Sequence, residues 1–265
     1  MMILVVYWFV PLNYSDFGQS YGTSNFSISA DDKNDMQFYP NMRFPESKIS
    51  YKIYDCPLQK EDEFIRALEI LEEKTSLTFY KVNSNEEISA SCDSKSEMKG
   101  GLIVAGEGGP TEVIKTDNFN VIMKGHLVLL RNSDCKDPNI ALHEILHVLG
   151  FDHSQNPENV MYNITACDQK LGDDTIDLIN KIYSYPTLPD LNFENVSAKT
   201  HGRYLDTVIG IRNDGLKKAD DTKIIIYADD EQVKEIDLRS LDIGEGVQIT
   251  LNNSWIVKIN VKTFT

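Results

Sequence analysis

The chain has 265 residues, a formal net charge of -15 at pH 7, and 41% apolar and 9% aromatic residues. That apolar share is enough for packed cores and excludes a wholly disordered chain. The acidic balance repels nucleic acid and anionic lipid, which excludes nucleic-acid partners, and the length exceeds the roughly 100–200 residues of one domain, so two are expected.

Residues 1–12, MMILVVYWFVPL, form an apolar leader. It is shorter than the roughly 20 residues that span a bilayer. It has the texture of a signal-peptide core, without a basic residue before it or a small-x-small site after it. A signal, an anchor remnant and an ordinary strand all remain open. Residues 13–44 are polar and turn-rich and read as a linker.

From Ser47, SKISYKIYD alternates apolar and polar residues as a strand does. Residues 60–75 place Phe64, Leu68 and Leu71 at helical spacing, with acids crowding the first turn as a helix dipole prefers. LTFYKV, EISASC, GGLIVAG and FNVIMKGHLVLL read as further strands. NIALHEILHVLG reads as a helix that stops at Gly150, and DDTIDLINKIY as a last helix beginning at Asp173. Pro186 and Pro189 then stiffen a boundary. Beyond it, DTVIGIRN, TKIIIYAD, EQVKEIDL, GVQITL and WIVKINVKT alternate with turn residues, as in a small antiparallel β-sandwich. The expected organisation is a domain over 45–186 and an all-β domain over 187–265.

The chemistry concentrates in His143-Glu144-Ile145-Leu146-His147-Val148-Leu149-Gly150-Phe151-Asp152-His153. Residues four apart share a helix face about 6 Å apart along the axis, so His143 and His147 can grip one ion. Glu144 is turned about 100° away from His143 and is free to act as a base on water. Gly150 can take a positive φ that ends the helix, and the chain can then bring His153 back as a third ligand. Three imidazoles with an open fourth position are the donor set of a catalytic zinc. His126 and His201 stand alone and read as structural.

Cys56, Cys92, Cys135 and Cys167 have no CxxC spacing, which argues against a cysteine metal site and suits two disulfides. Three pairings exist; Cys56–Cys92 with Cys135–Cys167 keeps each pair within one half of the first domain. Disulfides, with the apolar leader, point to a secreted or cell-surface protein.

Over roughly 45–186 the chain resembles the matrixins, a branch of the metzincin zinc peptidases with HExxHxxGxxH followed by a Met-turn. Ser154 after the third histidine, Val160-Met161-Tyr162 as the Met-turn, and Asp173-Asp174-Thr175-Ile176 entering the last helix carry the likeness. The resemblance implies an α+β catalytic domain, a twisted mixed sheet with an active-site helix and a C-terminal helix. It implies one Zn2+ on His143, His147 and His153, Glu144 as catalytic base and Met161 beneath the site. It also implies a substrate-facing edge strand at Leu102, Ile103, Val104 and Ala105. Leu146 replaces a common glycine, and Asn163 stands where matrixins often have proline. Asp93, Glu107 and Asp117 match no calcium loop, so any Ca2+ site stays unassigned. The tail is similar to CARDB-type Ig-like modules, in Leu188-Pro189-Asp190-Leu191, in the stretch from Val208 to Gly215, and in that from Leu241 to Glu245.

The expected function is zinc-dependent endopeptidase action on extracellular proteins or peptides. Two rivals stand beside it: an inactive zinc-binding adhesion protein with a cell-surface or matrix ligand on its β-domain, and a closed structural zinc site with Cys135 or Cys167 as fourth ligand.

Overall fold

The structure is a computed structural model describing residues 13–18, 36–94, 98–99, 102–131, 135–256, 261 and 263. In chain order it contains β1 (Asn13–Gly18), β2 (Met42–Arg43), β3 (Lys48–Tyr54), α1 (Leu58–Lys74), β4 (Thr78–Lys81), β5 (Ile88–Cys92), β6 (Met98–Lys99), β7 (Leu102–Ile103), β8 (Gly106–Lys115), β9 (Asn120–Leu129), α2 (Asn139–Val148) and α3 (Asp173–Tyr183). β10 (Leu191–His201), β11 (Tyr204–Asn213), β12 (Lys223–Ala228), β13 (Glu231–Asp237) and β14 (Glu245–Trp255) complete it. The described residues fall into two compact units, one within 20–187 and one joining β1 to residues 188 onward. The apolar leader over 1–12 lies outside the described residues. Among those described, no helix is long and apolar enough to cross a membrane.

In the first unit, β4, β3, β5 and β9 run parallel, β2 adds a short parallel pairing to β9, and β8 pairs antiparallel to β9. α1 forms because Phe64, Ala67, Leu68 and Leu71 line one face, and that face is buried. Glu61 in its first turn and Lys74 in its last both suit the helix dipole. α2 is different: all ten of its residues are buried, His143, Glu144 and His147 included. A helix buried all round is fixed by its packing, and here it lies against β8, β9 and α1. The core contains Ile49, Leu68, Ile88, Leu127, Ile145, Leu146 and Val160.

Two disulfides are present, Cys56–Cys92 and Cys135–Cys167. The first ties the approach to α1 to the end of β5. The second ties the approach to α2 to the loop before α3.

The segment 13–44 departs from a uniform linker. Asn13–Gly18 is a strand of the second unit, paired with β14 from Asn13 opposite Thr250 to Gly18 opposite Glu245. At its far end, Met42 and Phe44 are fully buried, and Gln37 bonds both backbone groups of Met42. Pairing with a strand more than two hundred residues away leaves no local signal, and the polar composition of 13–18 suits an exposed edge strand.

The second unit has a four-stranded antiparallel sheet in the order β1-β14-β11-β10 and a β12-β13 hairpin. Leu205, Ile209, Ile211, Ile224, Ile226, Val247 and Ile249 form its core. β10 carries no apolar alternation because nearly all its side chains are exposed. Most of the expected WIVKINVKT strand lies outside the described residues.

Candidate metal centre

α2 delivers His143 and His147 on one face, and Gly150 delivers the turn. Gly150 has φ +93°, and a Cβ there would lie 2.6 Å from Met42 Cγ, so both conformation and space require glycine. The reversal is held from outside: Phe38 N–H donates to Gly150 O at 2.9 Å, and Asp152 N–H donates to Met36 O at 3.0 Å. The Phe38 ring stacks on His147 with centroids 5.7 Å apart.

The result is a convergence of three Nε2 atoms. Those of His143 and His147 are 2.9 Å apart, and those of His147 and His153 are 3.3 Å apart. The three ligand atoms all lie within 4.8 Å of one another. A tetrahedral ion with Zn–N distances of about 2.0–2.1 Å sets its nitrogens about 3.3 Å apart, so this donor set fits.

The outer hydrogen bonds decide which nitrogen is the donor. His143 Nδ1 lies 2.7 Å from Val160 O and His147 Nδ1 2.7 Å from Phe151 O. A carbonyl only accepts, so each Nδ1 carries the proton and each Nε2 presents its lone pair inward. Lone pairs facing one another at that range are favourable around a cation. Burial and the neighbouring imidazoles push His147 down to about 3 against the raising effect of the Phe151 bond, and burial lowers His143 and His153 as well. All three are therefore neutral, the ligating form, at neutral pH.

Glu144 follows His143 and packs against the sheet edge. A Cβ on Gly106 would fall 2.8 Å from Glu144 Oε1, and one on Gly108 would fall 2.3 Å from Glu144 O. These glycines give the Glu144 side chain its room. Burial pushes the Glu144 carboxyl up to about 8, with the negative charge of Glu107 adding. A cation on the imidazoles works in the opposite direction, favouring the carboxylate.

Met161 is 2% exposed in a turn that Asn159 organises: Asn159 Oδ1 accepts from Met161 N at 2.9 Å, and Met161 O accepts from Ser154 N at 2.8 Å. His126 instead bonds Ser89 Oγ and Ser91 Oγ, and His201 bonds Asn253. Among the described residues, the group of three or more His, Cys, Asp or Glu arranged to hold a metal is His143, His147 and His153.

The expected edge strand is displaced. Leu102–Ile103 pairs with Met98–Lys99 in a two-stranded ribbon off the main sheet, and Ala105 O accepts from Leu130 N and Arg131 N. The strand flanking β9 on that side is β8, through Gly106-Glu107-Gly108-Gly109-Pro110. Its glycines have low strand propensity, which hid it. Pro110 was the available signal, because a proline inside a strand marks an edge.

Residues 43–184 match the Matrixin family of peptidases, and residues 188–264 match CARDB. Among curated proteins, none matches the chain. The matched family implies zinc, and the match covers more than half of the 265 residues and contains the whole histidine triad. The chain therefore belongs to the matrixin family of metallopeptidases, with a CARDB domain following the peptidase domain.

Proposed function

We propose that this protein is a zinc-dependent endopeptidase that cleaves protein or peptide substrates outside the cell, with Glu144 as its base. The observation that carries the reading is the convergence of three Nε2 atoms next to the buried Glu144, which shares a helix with His143 and His147.

His143, His147 and His153 would hold the zinc. Bound there, zinc supplies a Lewis acid that acidifies water and polarises the scissile carbonyl. Glu144 takes a proton from the attacking water and passes it to the departing amine. Burial of Glu144 beside Gly106 raises the proton affinity of its carboxyl, and a cation on the histidines would offset that rise so that the carboxylate can accept the proton. Met161 supplies an apolar floor.

Among the described residues β8 pairs with β9 alone, so its outer edge offers backbone groups to an extended peptide. In this reading Leu102–Ala105 leads into the substrate strand and β8 supplies the pairing. The two disulfides support action in an oxidising compartment, and the CARDB domain would supply attachment to a surface or matrix ligand. Glu144→Gln tests the base: turnover should fall by about 10²–10⁴-fold with zinc still bound. Unchanged turnover in that variant would remove Glu144 from the mechanism.

A further inference from the structure

The two disulfides close loops of nearly the same length, with sequence separations of 32 for Cys135–Cys167 and 36 for Cys56–Cys92. Their contents differ. The loop closed by Cys135–Cys167 contains all of α2, the three histidines, Glu144 and Met161. The loop closed by Cys56–Cys92 contains α1, β4 and most of β5, and none of those residues.

The crosslink joins two stretches that each bear on the metal ligands. Cys135 precedes α2, whose N-cap residue Pro138 makes no side-chain capping bond. Cys167 sits in the loop after the Met161 turn. Beside the crosslink, the buried Asn139 at the start of α2 donates from Nδ2 to Ala166 O at 2.7 Å and to Gln169 O at 3.3 Å. Gln169 in turn donates to Pro157 O and Ile164 O and accepts from Ala166 N. That same loop carries Val160, whose carbonyl fixes the tautomer and direction of His143. A displacement of the loop relative to α2 therefore turns His143 away from the shared point. At the other disulfide, β3 and β5 are already paired in register, and Lys60 Nζ bonds Asp93 O and Leu129 O.

We propose that Cys135–Cys167 is the positioning clamp of the metal centre, and that zinc retention depends on its being closed. Cys167 is exposed, so a small dithiol can reach it. The dithiol gives two electrons and two protons to the S–S bond, leaving two thiols in the protein, and is itself oxidised to a cyclic disulfide. Opening Cys56–Cys92 by the same exchange leaves the ligands in place. The inference rests on the zinc reading above.

The test uses the full chain. Zinc affinity is measured against a chromophoric chelator for wild type, C135S/C167S and C56S/C92S, with unfolding midpoints taken on the same samples. Because the loops are alike in length, the two variants should lose similar stability. Their metal binding should diverge: on the order of tenfold or more weaker zinc binding in C135S/C167S, as when a group that orients a ligand is lost, and affinity close to wild type in C56S/C92S. Titration of zinc-loaded wild type with dithiothreitol, with cysteines alkylated and mapped by mass spectrometry, adds an arm independent of whether the variants fold. Zinc release should follow the opening of Cys135–Cys167. Equal zinc affinity in both variants, or release that follows Cys56–Cys92, overturns the clamp. A wild type that takes up no zinc overturns the zinc reading itself and the clamp with it.

Discussion

His143 Nδ1 lies 2.7 Å from the carbonyl oxygen of Val160, the residue immediately before Met161. The turn that carries Met161 thus also aims one of the histidines. Asn159 is the organiser of that turn, being 4% exposed with Oδ1 accepting from Met161 N. Asn159→Ala leaves that amide without its partner, and a loss of about 1–3 kcal/mol of stability is expected. Zinc binding should weaken in the same variant. Urea unfolding and a zinc competition assay check both; an Asn159→Ala variant with wild-type stability would show that the turn holds without this bond.

Gly150→Ala brings two penalties to one residue, a side chain at φ +93° and a Cβ 2.6 Å from Met42 Cγ. The expected cost is about 2 kcal/mol or more in chemical unfolding. Trimming the obstructing neighbour in the same chain, with Met42→Ala, should relieve the contact and leave the backbone strain, so the double variant should cost less than the sum of the two single ones.

Gly108→Ala acts on Glu144, the proposed base, through its backbone. Its new Cβ would meet Glu144 O at 2.3 Å, so either β8 or α2 must shift. A displacement of roughly 1 Å at a catalytic group costs on the order of 10²-fold in rate. The variant should keep zinc and lose kcat, and a steady-state assay beside a metal determination separates the two. Loss confined to KM would locate the effect in substrate pairing along β8 instead.

The pH dependence of chelator-treated protein follows from two shifts of opposite sign. His147 falls from 6.5 to about 3, so below pH 6.5 the unfolded chain binds the extra proton, and its contribution to stability is lost as pH falls from 6.5 towards 3. Glu144 rises from 4.5 to about 8, so the native state holds the extra proton, and its contribution is lost as pH rises from 4.5 through 8. Stability measured by urea unfolding should therefore decline on the alkaline side between pH 6.5 and 8, and Glu144→Gln should flatten that decline. An unchanged alkaline slope in Glu144→Gln would assign the titration to another group.

The zinc motif was legible because its geometry is local. Four residues make a helical turn, and one glycine and three residues make the return to His153. The disulfide partners were legible for a related reason, each pair lying within one half of the peptidase domain. What was not legible depends on distant pairing. Asn13–Gly18 reads as linker because its partner is β14, and 36–44 reads as linker because its role is to pack on the turn at Gly150–Asp152. The strand beside α2 escaped because Gly106 and Gly108 approach Glu144 closely, against strand propensity.

The central claim is that a single zinc on His143, His147 and His153 drives peptide hydrolysis. Its most direct test is metal content by mass spectrometry on the purified full chain, paired with cleavage of an unfolded protein before chelation, after it, and after zinc is restored. One zinc per chain, with cleavage lost on chelation and regained with zinc, is the predicted result. Cleavage that continues at full rate in chelated, zinc-free protein would contradict it.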